Sequence, residues 1–363
     1  MRFTCEMLPA EHGDCLWIEY GRGRTPHRMV IDGGPDGSTV LLDRIKKEIG
    51  NSRRRFRIEL LVITHVDDDH IGGVLSLLEN LPANVQFGDI WFNAYKHLLP
   101  KDRMGGAQGE RLSGLLDADK NLPWNMAWGK NKGEGAVVLP GVHEPLPCKR
   151  LTGRLKLTLL SPTAEKLEKL IPDWEASCQK AKLLPGGQGR KQDDKLGRKD
   201  RWPPDVRMLA RSKPGKDTSA NGSSIAFLAE YGGKSLLLSG DAHHGTLRDS
   251  MKRLCKERRV KSLEVDAFKI PHHGSSNNIS NELLELLDCK QYLVSTSGKQ
   301  FSHPDFAALS RIIVNGGASP ELVFNYKSKT TRNWGEKRLR NTPDFDTRYP
   351  GSGSNSMFLS YLE

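Results

Sequence analysis

The chain has 363 residues, enough to bury one elaborated core or two small ones, and a formal net charge of +11. That basic balance favours polyanionic partners without defining one. The sequence shows no secretory start and no apolar run of bilayer length, which excludes a membrane-embedded role and makes a cytoplasmic location the expectation. The six cysteines, Cys5, Cys15, Cys148, Cys178, Cys255 and Cys289, form no CxxC pair and no regular framework. They read as reduced thiols, so neither a disulfide scaffold nor a cysteine zinc site is expected.

In chain order, short apolar runs at 3–8, 15–20, 28–31 and 60–63 alternate with Gly-rich turns and predict strands. An amphipathic helix is expected over 39–49, a second over 71–81, and a short strand over 90–93. Residues 96–150 are poorly periodic and rich in Gly and Trp. A strand at 155–160 and a helix at 163–182 then precede a basic, Gly- and Pro-punctuated segment ending near Thr218. The stretch 96–218 therefore reads as an insertion in a single domain spanning 1–363, large enough to form a lid or to dock a protein partner. Regularity returns at 223–231 and 234–238, which flank the hairpin signal Gly232-Gly233. Helices at 244–258, 280–287 and after Pro304 alternate with strands at 263–270, 291–295 and 357–362. Two strand-rich halves, each with helices, suggest an α/β sandwich of two sheets.

The densest chemistry lies in Thr64-His65-Val66-Asp67-Asp68-Asp69-His70-Ile71-Gly72-Gly73, directly after an apolar strand. His65, Asp67, Asp69 and His70 stand at i, i+2, i+4 and i+5 of a rigid strand-to-loop platform, a spacing that can be shared between two ions. Imidazole and carboxylate donors suit Zn, Mn or Fe. The competing reading is a solvated turn in which Asp69 or His70 caps the following helix. Three further strand ends carry the same chemistry: Asp32 before Gly33-Gly34, Asp241 after Gly240, and the pair His272-His273 after Pro271. Each alone is ordinary turn chemistry, but together they repeat the pattern of a shared metal site.

These motifs resemble the metallo-β-lactamase superfamily, whose second motif is HxHxDH and whose later motifs place an Asp and a His after strands. They are more similar still to the ComEC-type branch, with THxDxDHxGG, LLxGD, PHHGS, a late HP and an early GxGD turn. Here these read Thr64 to Gly73, Leu237 to Asp241, Pro271 to Ser275, His303-Pro304 and His12-Gly13-Asp14. The resemblance implies an αββα four-layer sandwich with two divalent metal ions, Mn or Zn. His65 and Asp67 would hold one; Asp69, His70 and His273 the second; Asp241 would bridge. His272 would exchange roles with His273 or contact substrate, and Asp32 would orient a ligand from behind. Asp67 replaces a histidine common in the superfamily, and Asn221 stands near where its third-motif histidine falls. Both substitutions favour Mn²⁺ over Zn²⁺, although Asn221 also reads as a simple turn residue. A hydroxide between the metals would attack phosphorus in line, with Asp69, His272 and His303 as the catalytic candidates and His303 the group to hold a phosphate oxygen or protonate the leaving group. Ser275 and Lys269 are lesser candidates.

Basic clusters add the expected substrate. Arg44, Lys46, Lys47, Arg53, Arg54, Arg55 and Arg57 crowd one helix and its exit, and 180–216 holds twelve Lys/Arg against four Asp. Lys329, Arg332, Lys337 and Arg338 surround Trp334, a pattern suited to backbone phosphates with a stacked base. The competing reading is a solvated surface. The expectation is a phosphodiesterase or nuclease cleaving DNA or RNA. The alternatives are a small-molecule phosphodiesterase, phosphocholine esterase or lactonase, or a non-catalytic subunit of a larger complex such as a phage-defence assembly.

Overall fold

The structure, a computed structural model, describes residues 1–52, 54–98, 107–119, 121–180, 202–336, 339, 342–352, 354 and 356–362. The expectations for Arg53, Lys337 and Arg338, and for most of the basic segment after residue 180, lie outside these residues. The strands are β1 (Arg2–Met7), β2 (Leu16–Gly21), β3 (His27–Ile31), β4 (Phe56–Ile58), β5 (Leu60–Val62), β6 (Val85–Phe87), β7 (Ile90–Trp91) and β8 (Cys148–Arg150). They continue as β9 (Lys156–Ser161), β10 (Ala226–Tyr231), β11 (Lys234–Leu238), β12 (Leu263–Lys269), β13 (Leu287–Val294), β14 (Glu321–Phe324), β15 (Asp346–Arg348) and β16 (Met357–Leu362). The helices are α1 (Val40–Ile49), α2 (Asp68–Glu79), α3 (Ala107–Ala118), α4 (Ala164–Lys180), α5 (Val206–Ala210), α6 (Ser219–Gly222), α7 (His244–Arg258), α8 (Asn281–Leu284) and α9 (Phe306–Asn315).

A six-stranded sheet runs β16-β1-β2-β3-β5-β7, and an eight-stranded sheet runs β15-β14-β13-β12-β11-β10-β9-β8. Side chains alternate across the first sheet with the period of two that a strand imposes. Phe3, Cys5, Met7, Leu16, Ile18, Met29, Ile31, Leu60 and Val62 face the second sheet. Trp17, Val30 and Leu61 point the other way, onto Leu41, Leu42 and Ile45 of α1 and Ile71, Val74 and Leu77 of α2. The central strands of the second sheet are buried on both faces and read as continuous apolar runs such as Leu236-Leu237-Leu238. Leu247, Met251 and Leu254 of α7 and Leu309, Ile312 and Ile313 of α9 join that core. The result is helix, sheet, sheet, helix: the four-layer α/β sandwich.

The pairing also explains where a site can form. β3 pairs with β5 in parallel, and β11, β12 and β13 are parallel neighbours. Their carboxyl ends therefore open at one edge of the sandwich, where open α/β sheets hold their ligands. Close approach locks this edge. A Cβ on Gly13 would lie 1.8 Å from the Asp69 carbonyl oxygen, and one on Gly73 would lie 1.9 Å from that of Gly33.

The structure differs from the sequence expectations at several boundaries. α2 begins at Asp68 with Asp67 at its N-cap position, not near Ile71, so Asp69 and His70 sit in the first turn and cap nothing. The anionic residues there suit a helix N-terminus. The stretch 96–218 is not a block set apart: β9 pairs with β10, and Leu157 and Leu159 lie in the main core. The helix expected over 280–287 contracts to α8 because β13 starts at Leu287, earlier than residue 291. The Gly232-Gly233 hairpin forms as expected, with Tyr231 opposite Lys234.

Candidate metal centre

Asp32 ends β3 and is fully buried, with φ at +57°, a conformation rare outside glycine. Its Oδ1 accepts the Thr64 backbone N–H at 2.8 Å, and its Oδ2 accepts the Thr64 hydroxyl at 2.8 Å and His70 Nδ1–H at 2.7 Å. Because the Thr64 hydroxyl donates to Asp32, the His65 Nδ1 it meets at 3.0 Å must be the donor in that contact. His273 Nδ1 likewise donates to the Ser295 carbonyl at 2.8 Å. These three bonds fix the ring orientations and turn each Nε2 the other way.

The three Nε2 atoms of His65, His70 and His273 are buried and have no hydrogen-bond partner among the described residues. They converge on carboxylates. His65 Nε2 lies 3.3 Å from Asp67 Oδ2; His70 Nε2 lies 3.3 Å and His273 Nε2 3.6 Å from Asp241 Oδ2; His273 Nε2 lies 3.2 Å from Asp69 Oδ2. Asp241 Oδ2 is also 4.0 Å from His65 Nε2, which makes it the shared oxygen of the cluster. Its Oδ1 is held apart by the backbone N–H of His272 at 3.1 Å. Among the described residues three overlapping groups have ligand atoms close enough for one ion: His65, His70 and Asp241; Asp69, His70 and His273; and, behind them, Asp14, Asp32 and His70. Lone pairs aimed at a shared volume among carboxylates are the arrangement a dication needs.

The electrostatics agree. Burial would lower the pKa of His70, but Asp241, Asp69 and Asp32 together push it well up. Burial would raise Asp69 and Asp241, yet His70 and His273 hold both carboxyls below their usual range. Charge is thus concentrated in a dry pocket, and a metal ion would take the place of the imidazole proton. His272 and His273 also both have positive φ, at +49° and +52°, and such strain costs of order 1–3 kcal/mol per residue and clusters at functional sites.

The adjacent histidines, which sequence leaves unordered, occupy different surroundings. His273 faces the cluster, while His272 Nδ1 meets Asn278 Oδ1 at 3.2 Å and Asn221 Nδ2 at 3.1 Å. Asn221 donates to Asp217 at 2.9 Å, and its own Oδ1 is buried without a partner among the described residues. Burial would raise Asp217, but hydrogen bonds and charge from His272 and its neighbours bring it down to about 2. His303 is buried, pairs with Asp305 at 3.2 Å and stands with its ring 5.4 Å from that of His272.

Sequence reasoning placed Asp14 only in its turn motif and Lys269 only among lesser candidates, and missed that the two pair beneath the cluster. Asp14 and Lys269 form an ion pair with each side chain only 1% exposed, and Asp14 Oδ1 lies 3.5 Å from His273 Nδ1. Asp217, Asn278 and Asp305 were unassigned; no local motif marks them. The basic residues are spread over the surface, with Arg54, Arg55, Lys329 and Arg332 exposed. Arg44 is engaged by Glu6 and Glu48, and Arg57 by Glu59. Trp334 corrects an expectation. It is 1% exposed and packs edge-on against Trp202 and Phe306, so its ring is core and cannot stack a base.

The fold is an αββα sandwich with His and Asp side chains gathered at parallel strand ends. Residues 9–147 match the model of the metallo-beta-lactamase superfamily, a span that contains Asp32, His65, Asp67, Asp69 and His70. No curated protein sequence matches the chain. Among solved structures it is similar to the metallo-beta-lactamase fold protein YhfI from Bacillus subtilis, at 10% identity over 98% of this chain and 99% of that one, with a TM-score of 0.41. It is also similar to CmlA, a diiron beta-hydroxylase from Streptomyces venezuelae, at 13% identity and a TM-score of 0.39; the match covers 99% of this chain but 54% of CmlA. The chain thus spans about half the length of CmlA. No described helix is long and apolar enough to cross a membrane.

Proposed function

We propose that the protein is a metal-dependent phosphodiesterase acting on DNA or RNA. The observation that carries the reading is the convergence of the His65, His70 and His273 Nε2 atoms, orphaned and buried, on the carboxylates of Asp67, Asp69 and Asp241. The residues suit two divalent ions: His65 and Asp67 would hold one, Asp69, His70 and His273 the other, and Asp241 would be shared. When bound, such ions supply a Lewis acid for a phosphoryl oxygen and lower the pKa of water. Asp67, an oxygen donor beside His65, supports Mn²⁺ over Zn²⁺.

The protein's own groups do the rest. Asp32 and Thr64 orient His70 and His65, and the Ser295 carbonyl orients His273. His303, held by Asp305, is the residue to bind a phosphate oxygen or deliver a proton to the leaving oxygen. The net charge of +11 supports a polyanionic substrate.

The test is digestion of end-labelled single- and double-stranded DNA and RNA with Mn²⁺ or Zn²⁺, alongside bis(p-nitrophenyl) phosphate, for wild type and Asp69→Ala. Metal-dependent cleavage of a polynucleotide, lost in Asp69→Ala, is expected. Cleavage of the small diester alone would move the reading to a small-molecule phosphodiesterase. Failure on both would overturn it.

A further inference from the structure

A cleft of about 460 Å³ has Glu11, Lys299, Asn325, Tyr326 and Lys327 in its walls. Two of those walls belong to segments that continue to the candidate metal centre. The loop carrying Glu11 continues to Gly13 and Asp14, and the Asp14 backbone N–H meets the Asp69 carbonyl at 3.3 Å. The segment carrying Lys299 starts from Ser295, the residue that orients His273, and runs on to His303. The two segments are stitched together: Glu11 accepts the Ser297 N–H at 2.6 Å and donates its own N–H to the Tyr326 hydroxyl at 2.8 Å.

The third wall leads back to the centre as well. Beyond Lys327, the Thr330 hydroxyl donates to the His303 carbonyl at 2.9 Å. Lys327, Lys329 and Arg332 are exposed along this short stretch. Lys299, Lys327, Lys329 and Arg332 have no ion-pair partner among the described residues, whereas Arg44, Arg57 and Arg348 elsewhere are engaged by glutamates. Of the residues named in the cleft, Glu11 alone is acidic. Exposed cations without an ion-pair partner, on segments that run on to the candidate metal centre, are the arrangement that can track a polyanion.

The geometry points to a phosphate-binding track for the backbone of a polynucleotide, running from the Lys299–Lys327 cleft along Lys329 and Arg332 to the metal centre. The inference rests on the phosphodiesterase reading and deepens it. Because Trp334 is buried, the track grips phosphates and not bases at this stretch, so binding is independent of sequence.

The probe is a fluorescent oligonucleotide of about 20 residues, titrated by anisotropy at several salt concentrations against the full chain in EDTA, so that binding is read without cleavage. Each lysine that neutralises a phosphate contributes about 0.7–0.9 to the slope of log K against log salt. Lys299→Gln/Lys327→Gln is expected to weaken binding and lower that slope by about 1.5, whereas Lys252→Gln/Lys256→Gln on α7, which removes the same charge elsewhere, leaves the slope unchanged. An equal fall in both variants, no fall in either, or no binding by wild type would overturn the track. Hydrolysis of bis(p-nitrophenyl) phosphate by wild type, run in parallel, tells failure of the track from failure of the phosphodiesterase reading.

Discussion

Asp32→Asn is the most informative single perturbation of the site. The carboxylate is fully buried and accepts three hydrogen bonds, at 2.8, 2.8 and 2.7 Å, from the Thr64 N–H, the Thr64 hydroxyl and His70 Nδ1–H. Asparagine keeps the volume but turns one acceptor into a donor, so whichever way the amide faces, an N–H meets an N–H or O–H. That conflict costs about 1–3 kcal/mol of stability. The larger effect falls on His70, whose ring loses the bond that sets its tautomer, and through Thr64 on His65. Loss of such a supporting carboxylate lowers metal affinity by about 10–100-fold, or about 1.4–2.7 kcal/mol. Competition with a chromophoric chelator measures the affinity, and thermal unfolding in EDTA measures the apo stability separately. An affinity within about twofold of wild type, in a variant that still folds, would refute the idea that Asp32 orients His70 for a metal.

Three further outcomes are expected. Lys269→Met leaves Asp14 charged and unpaired beneath His273, which should cost about 3–5 kcal/mol in urea unfolding; adding Asp14→Leu should recover part of the loss, and no recovery would show the pair is not the cause. Trp334→Ala removes a ring packed between Trp202 and Phe306 and should cost about 3–5 kcal/mol, whereas a near-neutral result would restore it to the surface as a base-stacking candidate. Cys148 is exposed, whereas Cys5 and Cys289 are buried and pushed up by that burial to about 12. A maleimide at about pH 8 should therefore label Cys148 and spare Cys5 and Cys289 in the native protein, and peptide mass analysis showing prompt labelling of either buried thiol would contradict the packing.

Much of the centre was legible because its residues lie at the ends of apolar runs. A strand predicted at 60–63 and a loop rich in His and Asp are local signals, and strands 28–31, 234–238 and 263–270 end the same way. Parallel pairing of β3 with β5 and of β11 with β12 then brings those ends to one edge. What sequence could not supply depends on contacts between distant segments. Asp14 and Lys269 meet only when the first hairpin turn packs over the end of β12, and nothing near either residue announces a partner. Which of His272 and His273 faces the carboxylates depends on backbone angles at positive φ. Trp334 was misread because its neighbours in sequence are basic, while its burial is decided by Trp202 and Phe306. Within the stretch 96–218 the strand at 155–160 was legible, but that it belongs to the core follows only from its pairing with β10, a contact between distant segments.

Metal stoichiometry bears most directly on the proposed dinuclear centre. Protein stripped of metal and titrated calorimetrically with Mn²⁺ or Zn²⁺, with elemental analysis of the product, should take up two ions per chain in wild type. Asp241→Ala, lacking the shared oxygen, should lose at least one. A wild-type chain that binds no ion, or a His70→Ala/Asp241→Ala chain that keeps full stoichiometry and affinity, would contradict the assignment of His65, Asp67, Asp69, His70, Asp241 and His273 as its ligands.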